Sequence, residues 1–255
     1  MKQKLKLISS LVFSIIILTS LTKAEGKHSE GKMAQDTITK RVGSLIKVRP
    51  EFEERYIILH RNAFPGVLAR IKESNIRNYS IFLLNGMLFS YYEYIGTDYD
   101  ADMKAIANPI TKDWWKLTDP MQEPLPTRKE GEWWAVMDQA LCFDKLIKPS
   151  AEAQRTALVA QIIEGKDNDV LSFIKNSPSD LEGVFNSHNI QNCNMYQKDG
   201  KLYFYFEYTG NDLMTDLGEL IRDNNFKAFQ TGLQNMLVQK DNNYWEFMKE
   251  VFHTN

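Results

Sequence analysis

The sequence has few of the residues that build metal centres and disulfide frameworks. It contains two cysteines and four histidines, namely Cys142, Cys193, His28, His60, His188 and His253. The histidines are scattered and lack the short spacings of a zinc site. Two cysteines could form one bond but no framework, and the sequence leaves their redox state open. We therefore expect chemistry that needs no metal and no cofactor.

A large excess of charge of either sign is also absent, with 31 basic and 33 acidic residues. So balanced a chain has no electrostatic basis for binding nucleic acid or an anionic membrane. Hydrophobic residues make up 43% of the sequence and aromatic residues 12%. This composition is typical of a globular protein with a packed core.

The chain lacks an apolar run long enough for a permanent membrane anchor. Three lysines lie within the first six residues, and the apolar stretch 7–18 follows them. That stretch is shorter than the roughly 20 residues that span a bilayer. Residues 22–24, Thr-Lys-Ala, supply small residues where a signal peptidase cuts. We predict a signal peptide over residues 1–24, cleaved after Ala24, and an exported protein that is periplasmic or secreted.

Two polar stretches without periodicity divide the rest of the chain. Residues 25–40 are predicted to be a flexible leader. Residues 144–155, which include a proline and a serine at 149–150, are predicted to be a linker. Between and after them lie two candidate domains, at 41–143 and 156–255.

The two candidate domains contain an internal repeat. The segment NIRNYSIFLLNGMLFSYYEYIGTD at 75–98 returns as NIQNCNMYQKDGKLYFYFEYTGND at 189–212, with an offset of 114 and 10 of 24 positions identical. Asn-Gly at 85–86 and Asp-Gly at 199–200 each predict a tight hairpin, because these residues tolerate positive φ. An ungapped match of this length indicates a tandem duplication.

Each copy follows the pattern strand, helix, strand, strand, helix, strand. The first copy has predicted elements at 42–49 (strand), 50–74 (helix, interrupted at Pro65-Gly66), 75–98 (hairpin), 99–117 (helices) and 133–142 (strand). This is the ferredoxin-like βαββαβ order. We predict an α+β fold of two ferredoxin-like repeats that pack as a pseudo-dimeric α/β barrel within one monomer. The buried face would comprise Leu88, Tyr92 and Tyr94 or their strand neighbours.

Two features of the first copy are candidates for a binding site. Tyr56 and His60 are spaced i, i+4, so they lie on one face of the first helix. Trp114 and Trp115 are adjacent, so at least one of them is expected to point away from the core. Tryptophans of this kind stack on sugar rings or pack at interfaces, and a single histidine is often only part of a core edge. Spacing alone leaves these alternatives open.

Residues 42–143 resemble the L-rhamnose mutarotase family along nearly the whole length of that small domain. The carrying segments are VRPEFEERYIILHRNAFPGVL (48–68), NYSIFLLNGMLFSYYEY (78–94) and DWWKLTDPM (113–121). The resemblance implies that His60 is the proton donor and that Tyr56, Tyr79, Trp114 and Trp115 contact the sugar. It also implies a ferredoxin-like α/β barrel that works as a dimer.

The sequence departs from the family pattern beside the histidine and in the second copy. The family usually has Asn-Pro after the histidine and an acidic residue after the later proline, where this chain has Arg61-Asn62 and Gly66. The second copy loses every pocket position at offset 114, where the residues are Val170, Ile174, Cys193, Ala228 and Phe229. We therefore interpret the second copy, 156–253, as a scaffold without a working site.

The function that these features predict is an aldose mutarotase, an isomerase of carbohydrate metabolism. It would interconvert the α and β anomers of L-rhamnose or a similar deoxy sugar, with a small monosaccharide as its partner. Ring opening and closure need only proton transfers, and a histidine with an ordinary pKa near 6.5 can supply them at neutral pH. The alternatives are a non-catalytic exported sugar-binding protein and a different enzyme on the same scaffold.

Overall fold

The computed structural model describes residue 38, residues 40–143 and residues 153–255. The predicted signal peptide, almost all of the predicted leader and residues 144–152 of the predicted linker lie outside the described residues. Strand structure begins again at Gln154, just before the predicted end of that linker.

The described residues form a mixed α/β fold with a curled antiparallel sheet. The first half contains β1 (Lys40–Val48), α1 (Glu53–Arg61), α2 (Pro65–Glu73), β2 (Ile76–Leu84), β3 (Met87–Tyr94), α3 (Tyr99–Ala105), α4 (Pro109–Thr118), β4 (Gln122–Glu123), β5 (Ala135–Val136) and β6 (Asp138–Cys142). The second half contains β7 (Gln154–Gln161), α5 (Asp167–Lys175), α6 (Leu181–Ser187), β8 (Ile190–Lys198), β9 (Lys201–Tyr208), α7 (Leu213–Leu220), α8 (Asn224–Gln234) and β10 (Trp245–Thr254).

Both predicted hairpins are present, and their turn residues have left-handed backbones. Asn85 and Gly86 have φ of 49° and 73°, and Asp199 and Gly200 have φ of 51° and 70°. Two consecutive residues with positive φ are what a two-residue turn of type I′ requires. The turns fix the register of β2 with β3 and of β8 with β9.

The last strand of each half changes partner along its length. In β10, residues 245–248 pair with β7, and residues 249–254 pair with β2 of the first half. Similarly, β5 pairs with β1, whereas β6 pairs with β8 of the second half. The sheet order is β4-β1-β3-β2-β10-β7-β9-β8-β6. Each half therefore completes the sheet of the other.

A buried apolar cluster joins the inner sheet faces of the two halves. Its aromatic members include Phe89 and Tyr91 from β3 and Tyr205 from β9. The rings of Tyr91 and Tyr205 stack with centroids 3.7 Å apart. Leu88 and Tyr92 lie on the opposite face of β3, among residues of the helices. The prediction left open whether the face of Leu88 and Tyr92 or the face of their strand neighbours would be buried between the halves. The structure shows that it is the face of the neighbours, Phe89 and Tyr91.

A polar network lies within the same interface. Asn78 Nδ2 donates to Glu207 Oε1 at 2.6 Å, and Asn192 Nδ2 donates to Glu93 Oε1 at 2.8 Å. The asparagines and the glutamates are both related by the offset of 114. Asn78 and Asn192 have φ of 48° and 50° and interrupt the strand register at matching places. These hydrogen bonds stabilise the buried carboxylates, because each Oε1 accepts from both asparagine amides.

The two cysteines are not joined by a disulfide bond. Cys142 is exposed and Cys193 is buried, and burial raises the pKa of the Cys193 thiol. No helix in the described part of the chain is both long and apolar enough to cross a bilayer.

Candidate active site

A cavity of about 300 Å³ lies between the helices of the first half and the outer face of the sheet. Nearly half of its lining residues are aliphatic, such as Val67, Ile71 and Ile81. The aromatic and polar lining residues include His60, Tyr79, Thr111, Trp114, Trp115, Trp134 and Phe252. Four of the five residues predicted for the site, His60, Tyr79, Trp114 and Trp115, therefore meet in one cavity.

His60 is held in place by aromatic rings on three sides. Helical spacing turns Tyr56 and His60 to the buried face of α1, and His60 is 7% exposed. Its imidazole stacks on Tyr56 with ring centroids 3.9 Å apart. The edges of Trp114 and Phe252 meet it at centroid distances of 5.2 and 5.7 Å. The ring therefore has one fixed orientation.

One hydrogen bond decides which nitrogen of His60 carries the proton. His60 Nδ1 lies 2.9 Å from the carbonyl oxygen of Tyr56. Because a carbonyl oxygen can only accept, Nδ1–H is the donor and Nε2 is the unprotonated nitrogen of the neutral ring.

The surroundings of His60 change its acidity from the value expected from sequence. Burial lowers the pKa of His60 to about 4, and the hydrogen bond to the Tyr56 carbonyl opposes part of this decrease. The expectation of an ordinary pKa near 6.5 was therefore wrong, because the sequence did not reveal how deeply the ring is enclosed. At neutral pH the imidazole is uncharged.

The tryptophan pair is positioned by the start of α4. Asn108 caps this helix, since its side-chain oxygen accepts from the Thr111 N–H at 2.9 Å, and Pro109 occupies the first turn. Trp114 is buried and its ring contacts His60 and Phe64, in both cases with centroids 5.2 Å apart. Trp115 is partly buried and also lines the cavity. Both tryptophans therefore face the same cavity.

Tyr79 supplies a phenol ring to the opposite wall. It follows the bulge at Asn78 and packs edge-on against Tyr92 and Phe252, with centroids 5.6 and 5.4 Å apart. Desolvation by burial raises the pKa of Tyr79 well above its ordinary value. The hydroxyl is therefore neutral and can donate a hydrogen bond.

Tyr56 occupies a different place from the one predicted. It is fully buried, stacks on His60, and does not belong to the described residues that line the cavity. Its hydroxyl accepts a long hydrogen bond of 3.4 Å from Gln122 Nε2. Tyr56 and His60 lie on the same face of α1, one helical turn apart, and Tyr56 is the more deeply buried of the two. Its position is that of a support for His60.

Two lining residues were missed by sequence reasoning. Trp134, which falls in the strand predicted at 133–142, is partly exposed and lines the cavity. Phe252 belongs to β10 of the second half and reaches the site because that strand pairs with β2. Comparing the two copies at the offset of 114 could not identify Phe252. Such a comparison aligns equivalent positions of the two halves and contains no information on a strand of one half that pairs with the other half.

The positions that depart from the family pattern are next in sequence to two cavity-lining residues, Ala63 and Val67. Arg61 and Asn62 are exposed. Gly66 is the second residue of α2, and a Cβ there would lie 3.1 Å from Ile110 Cγ2. An acidic side chain at this position would require Ile110 to move. The glycine therefore allows α2 and α4 to approach each other closely.

The corresponding region of the second half is filled by side chains. Val170, Ile174 and Phe229, which stand at the positions of Tyr56, His60 and Trp115, are buried in one apolar cluster. Phe173 stacks on Phe229 with centroids 5.5 Å apart. Within residues 40–143 and 153–255, no group of three or more histidine, cysteine or acidic side chains is arranged to hold a metal.

Comparison with known proteins identifies one family. The profile of the L-rhamnose mutarotase family matches residues 41–142, which confirms the resemblance. The L-rhamnose mutarotase of Oceanobacillus iheyensis is 31% identical over 86 residues, which are 33% of this chain and 81% of that protein. That of Lactiplantibacillus plantarum is also 31% identical over 86 residues, or 32% of this chain and 80% of that protein.

Solved structures share the fold over both halves. A candidate monooxygenase from Fusobacterium nucleatum aligns with a TM-score of 0.52 at 17% identity, over 84% of this chain and 93% of that one. A candidate monooxygenase from Lactobacillus acidophilus has the same TM-score at 9% identity, over 84% and 95% of the two chains. At such identities the likeness concerns the fold alone.

Proposed function

Because the chain belongs to the L-rhamnose mutarotase family through residues 41–142, we propose that it interconverts the α and β anomers of L-rhamnose or a similar deoxy sugar. The observation that carries this proposal is a neutral, fixed His60 in an aromatic cavity. Its Nε2 is free to accept a proton, because Nδ1 is committed to the Tyr56 carbonyl.

The reaction consists of balanced proton transfers at His60. Nε2 accepts the proton of the anomeric hydroxyl, the O–H electron pair forms the C1 carbonyl, and the bond from C1 to the ring oxygen breaks. The ring oxygen then takes the proton from the imidazolium. Rotation about the bond between C1 and C2 and the reverse steps close the ring from the other carbonyl face. Because burial makes the imidazolium a strong acid, proton return to the ring oxygen is favoured.

The aromatic residues orient the sugar in this proposal. Trp114 and Trp115 on one side and Tyr79 on the other offer ring faces or edges to the apolar face of a pyranose. The aliphatic lining limits water at His60, which strengthens each polar contact with the sugar. Tyr56 acts behind the imidazole as a positioning residue.

We further propose that the two halves are tandem ferredoxin-like repeats that form a pseudo-dimeric α/β barrel, and that the protein is a monomer. The partner change in β10 and β5–β6 supports this arrangement, as does the network of Asn78 and Asn192 with Glu93 and Glu207. The second repeat then takes the place of a second subunit.

Export is proposed from residues 1–24 alone, which have the composition of a secretory signal. Amino-terminal sequencing of the protein made by its native host should begin at Glu25. A sequence that begins at Met1 or Lys2 would contradict cleavage.

Exchange NMR on L-rhamnose tests the catalytic proposal. The purified protein should accelerate exchange between the α and β anomeric protons in the presence of a chelator, and His60→Ala should abolish most of this acceleration. Circular dichroism should show that the variant remains folded. Line broadening without faster exchange would instead indicate a non-catalytic sugar-binding protein, and full activity of His60→Ala would contradict the role of His60.

A further inference from the structure

Thr111 lies on the same helix face as the tryptophan pair. The spacings from Thr111 to Trp114 and Trp115 are three and four residues, which place the three side chains side by side on α4. All three line the cavity with His60. Thr111 is 3% exposed and its Oγ1 has almost no accessible surface in this conformation, so the hydroxyl reaches the cavity by rotation about the Cα–Cβ bond.

The hydroxyl of Thr111 has no hydrogen-bond partner among the residues that the structure describes. Three other hydroxyls that line the cavity do have partners. Ser44 Oγ and Ser90 Oγ bond to each other at 2.7 Å, and the Tyr92 hydroxyl bonds to that of Tyr99. A buried hydroxyl without a partner is unfavourable, so such a group in a ligand cavity is poised for a polar group of the ligand.

We propose that Thr111 is a specificity-determining residue whose Oγ1 hydrogen-bonds one hydroxyl of the bound sugar. This inference rests on the proposed function and adds to it a polar contact outside the acid/base group. Because the proposed proton transfers take place at His60 and not at Thr111, the bond should form equally with the ground state and the transition state. Thr111 therefore contributes to sugar affinity and to discrimination between sugars, and not to the chemical step.

The test compares two threonines of α4. Thr111→Val keeps the shape of the side chain and removes the hydroxyl, and should raise the KM for L-rhamnose roughly tenfold with kcat nearly unchanged. Its melting temperature should not fall, because the variant removes a buried hydroxyl that has no protein partner. Thr118→Val is the control, since Thr118 is equally buried but donates to the Trp114 carbonyl oxygen at 3.4 Å and does not line the cavity. Its KM should equal that of the unmodified protein.

Monodeoxy analogues of L-rhamnose identify the hydroxyl that is bound. One of the 2-, 3- and 4-deoxy sugars should bind the unmodified protein roughly tenfold more weakly than L-rhamnose, as measured by tryptophan fluorescence. Thr111→Val should bind that analogue and L-rhamnose equally. If Thr111→Val has an unchanged KM while the unmodified protein is active, the Thr111 contact is overturned and the mutarotase proposal is not. If the unmodified protein neither binds L-rhamnose nor accelerates its exchange, both are overturned.

Discussion

His60 Nδ1 lies 2.9 Å from the carbonyl oxygen of Tyr56, and the two rings of the same residues stack with centroids 3.9 Å apart. One residue thus fixes both the tautomer and the plane of the imidazole. The i, i+4 spacing makes this possible, because it brings the side chain of residue 60 beneath the carbonyl of residue 56 within one helical turn. The catalytic nitrogen of the proposed reaction is defined by this pair.

The pH dependence of activity should reflect the lowered pKa of His60. With a pKa of about 4, the neutral base persists well below pH 6.5, so kcat/KM should stay constant from pH 8 to about pH 5 and fall below that. Exchange NMR at each pH, with the uncatalysed rate subtracted, gives the profile. A half-maximal rate near pH 6.5 would mean that His60 titrates as an exposed histidine does.

The free energy of unfolding should decrease as the pH falls, because the pKa of His60 is lowered in the folded protein. The folded-state pKa of about 4 lies below the unfolded value of 6.5, so the unfolded state binds more protons between these two pH values. Stability is therefore complete above pH 6.5 and is lost as pH falls toward 4, by about 3 kcal/mol from this one group. Urea unfolding at pH 7 and pH 4.5 measures the loss. His60→Gln should lose less than the unmodified protein, and an equal loss would assign the effect to other groups.

Substitutions at Tyr56 should show whether this residue positions the His60 ring or contacts the sugar. Tyr56→Phe keeps the ring that stacks on His60 and removes only the hydroxyl bonded to Gln122, so kcat and KM should change less than threefold. Tyr56→Leu removes the stack, and kcat should fall roughly tenfold or more, since a small misplacement of the base is costly. Steady-state exchange rates distinguish the cases. A large rise in KM for Tyr56→Phe would restore the sugar-contacting role expected from sequence.

Phe252 should make the second half necessary for the site in the first. Phe252→Leu removes the ring that contacts both His60 and Tyr79, and kcat/KM should fall about tenfold. Leu141→Ala is the control, because Leu141 lies on the crossing strand of the first half and packs in the cluster of the second. It should reduce the melting temperature and leave kcat/KM unchanged at a temperature where it is folded. Equal kinetic losses in both variants would indicate a general structural effect.

The first half alone should not be a stable monomer. A fragment of residues 25–148 would expose the face that Phe89 and Tyr91 share with Tyr205, and β2 would lose its partner β10. Exposed apolar surface costs about 25 cal/mol per Å², so the fragment should dimerise or aggregate. Light scattering on the fragment and on the whole chain provides the measurement. A fully active, monomeric fragment would contradict the scaffold role of the second half.

The sequence predicted local structure well where local chemistry decides it. Asn85-Gly86 and Asp199-Gly200 determined the hairpins, because few other residues accept two consecutive positive φ values. Pro65-Gly66 marked the boundary between α1 and α2, and the order of elements followed from these points. The family resemblance placed His60, Tyr79, Trp114 and Trp115 together, and they do share one cavity.

The sequence alone predicted most of the helices and strands, the proposed repeat and the residues of the proposed chemistry, since all of these depend on spacing along the chain. Only the tertiary structure decided that Phe252 enters the site, that Tyr56 lies behind the imidazole and that the His60 pKa falls to about 4. The reason is physical. β10 pairs first with β7 and then with β2, and this pairing depends on how the strands of both halves are arranged in space. The desolvation of a titratable group depends on every element that encloses it.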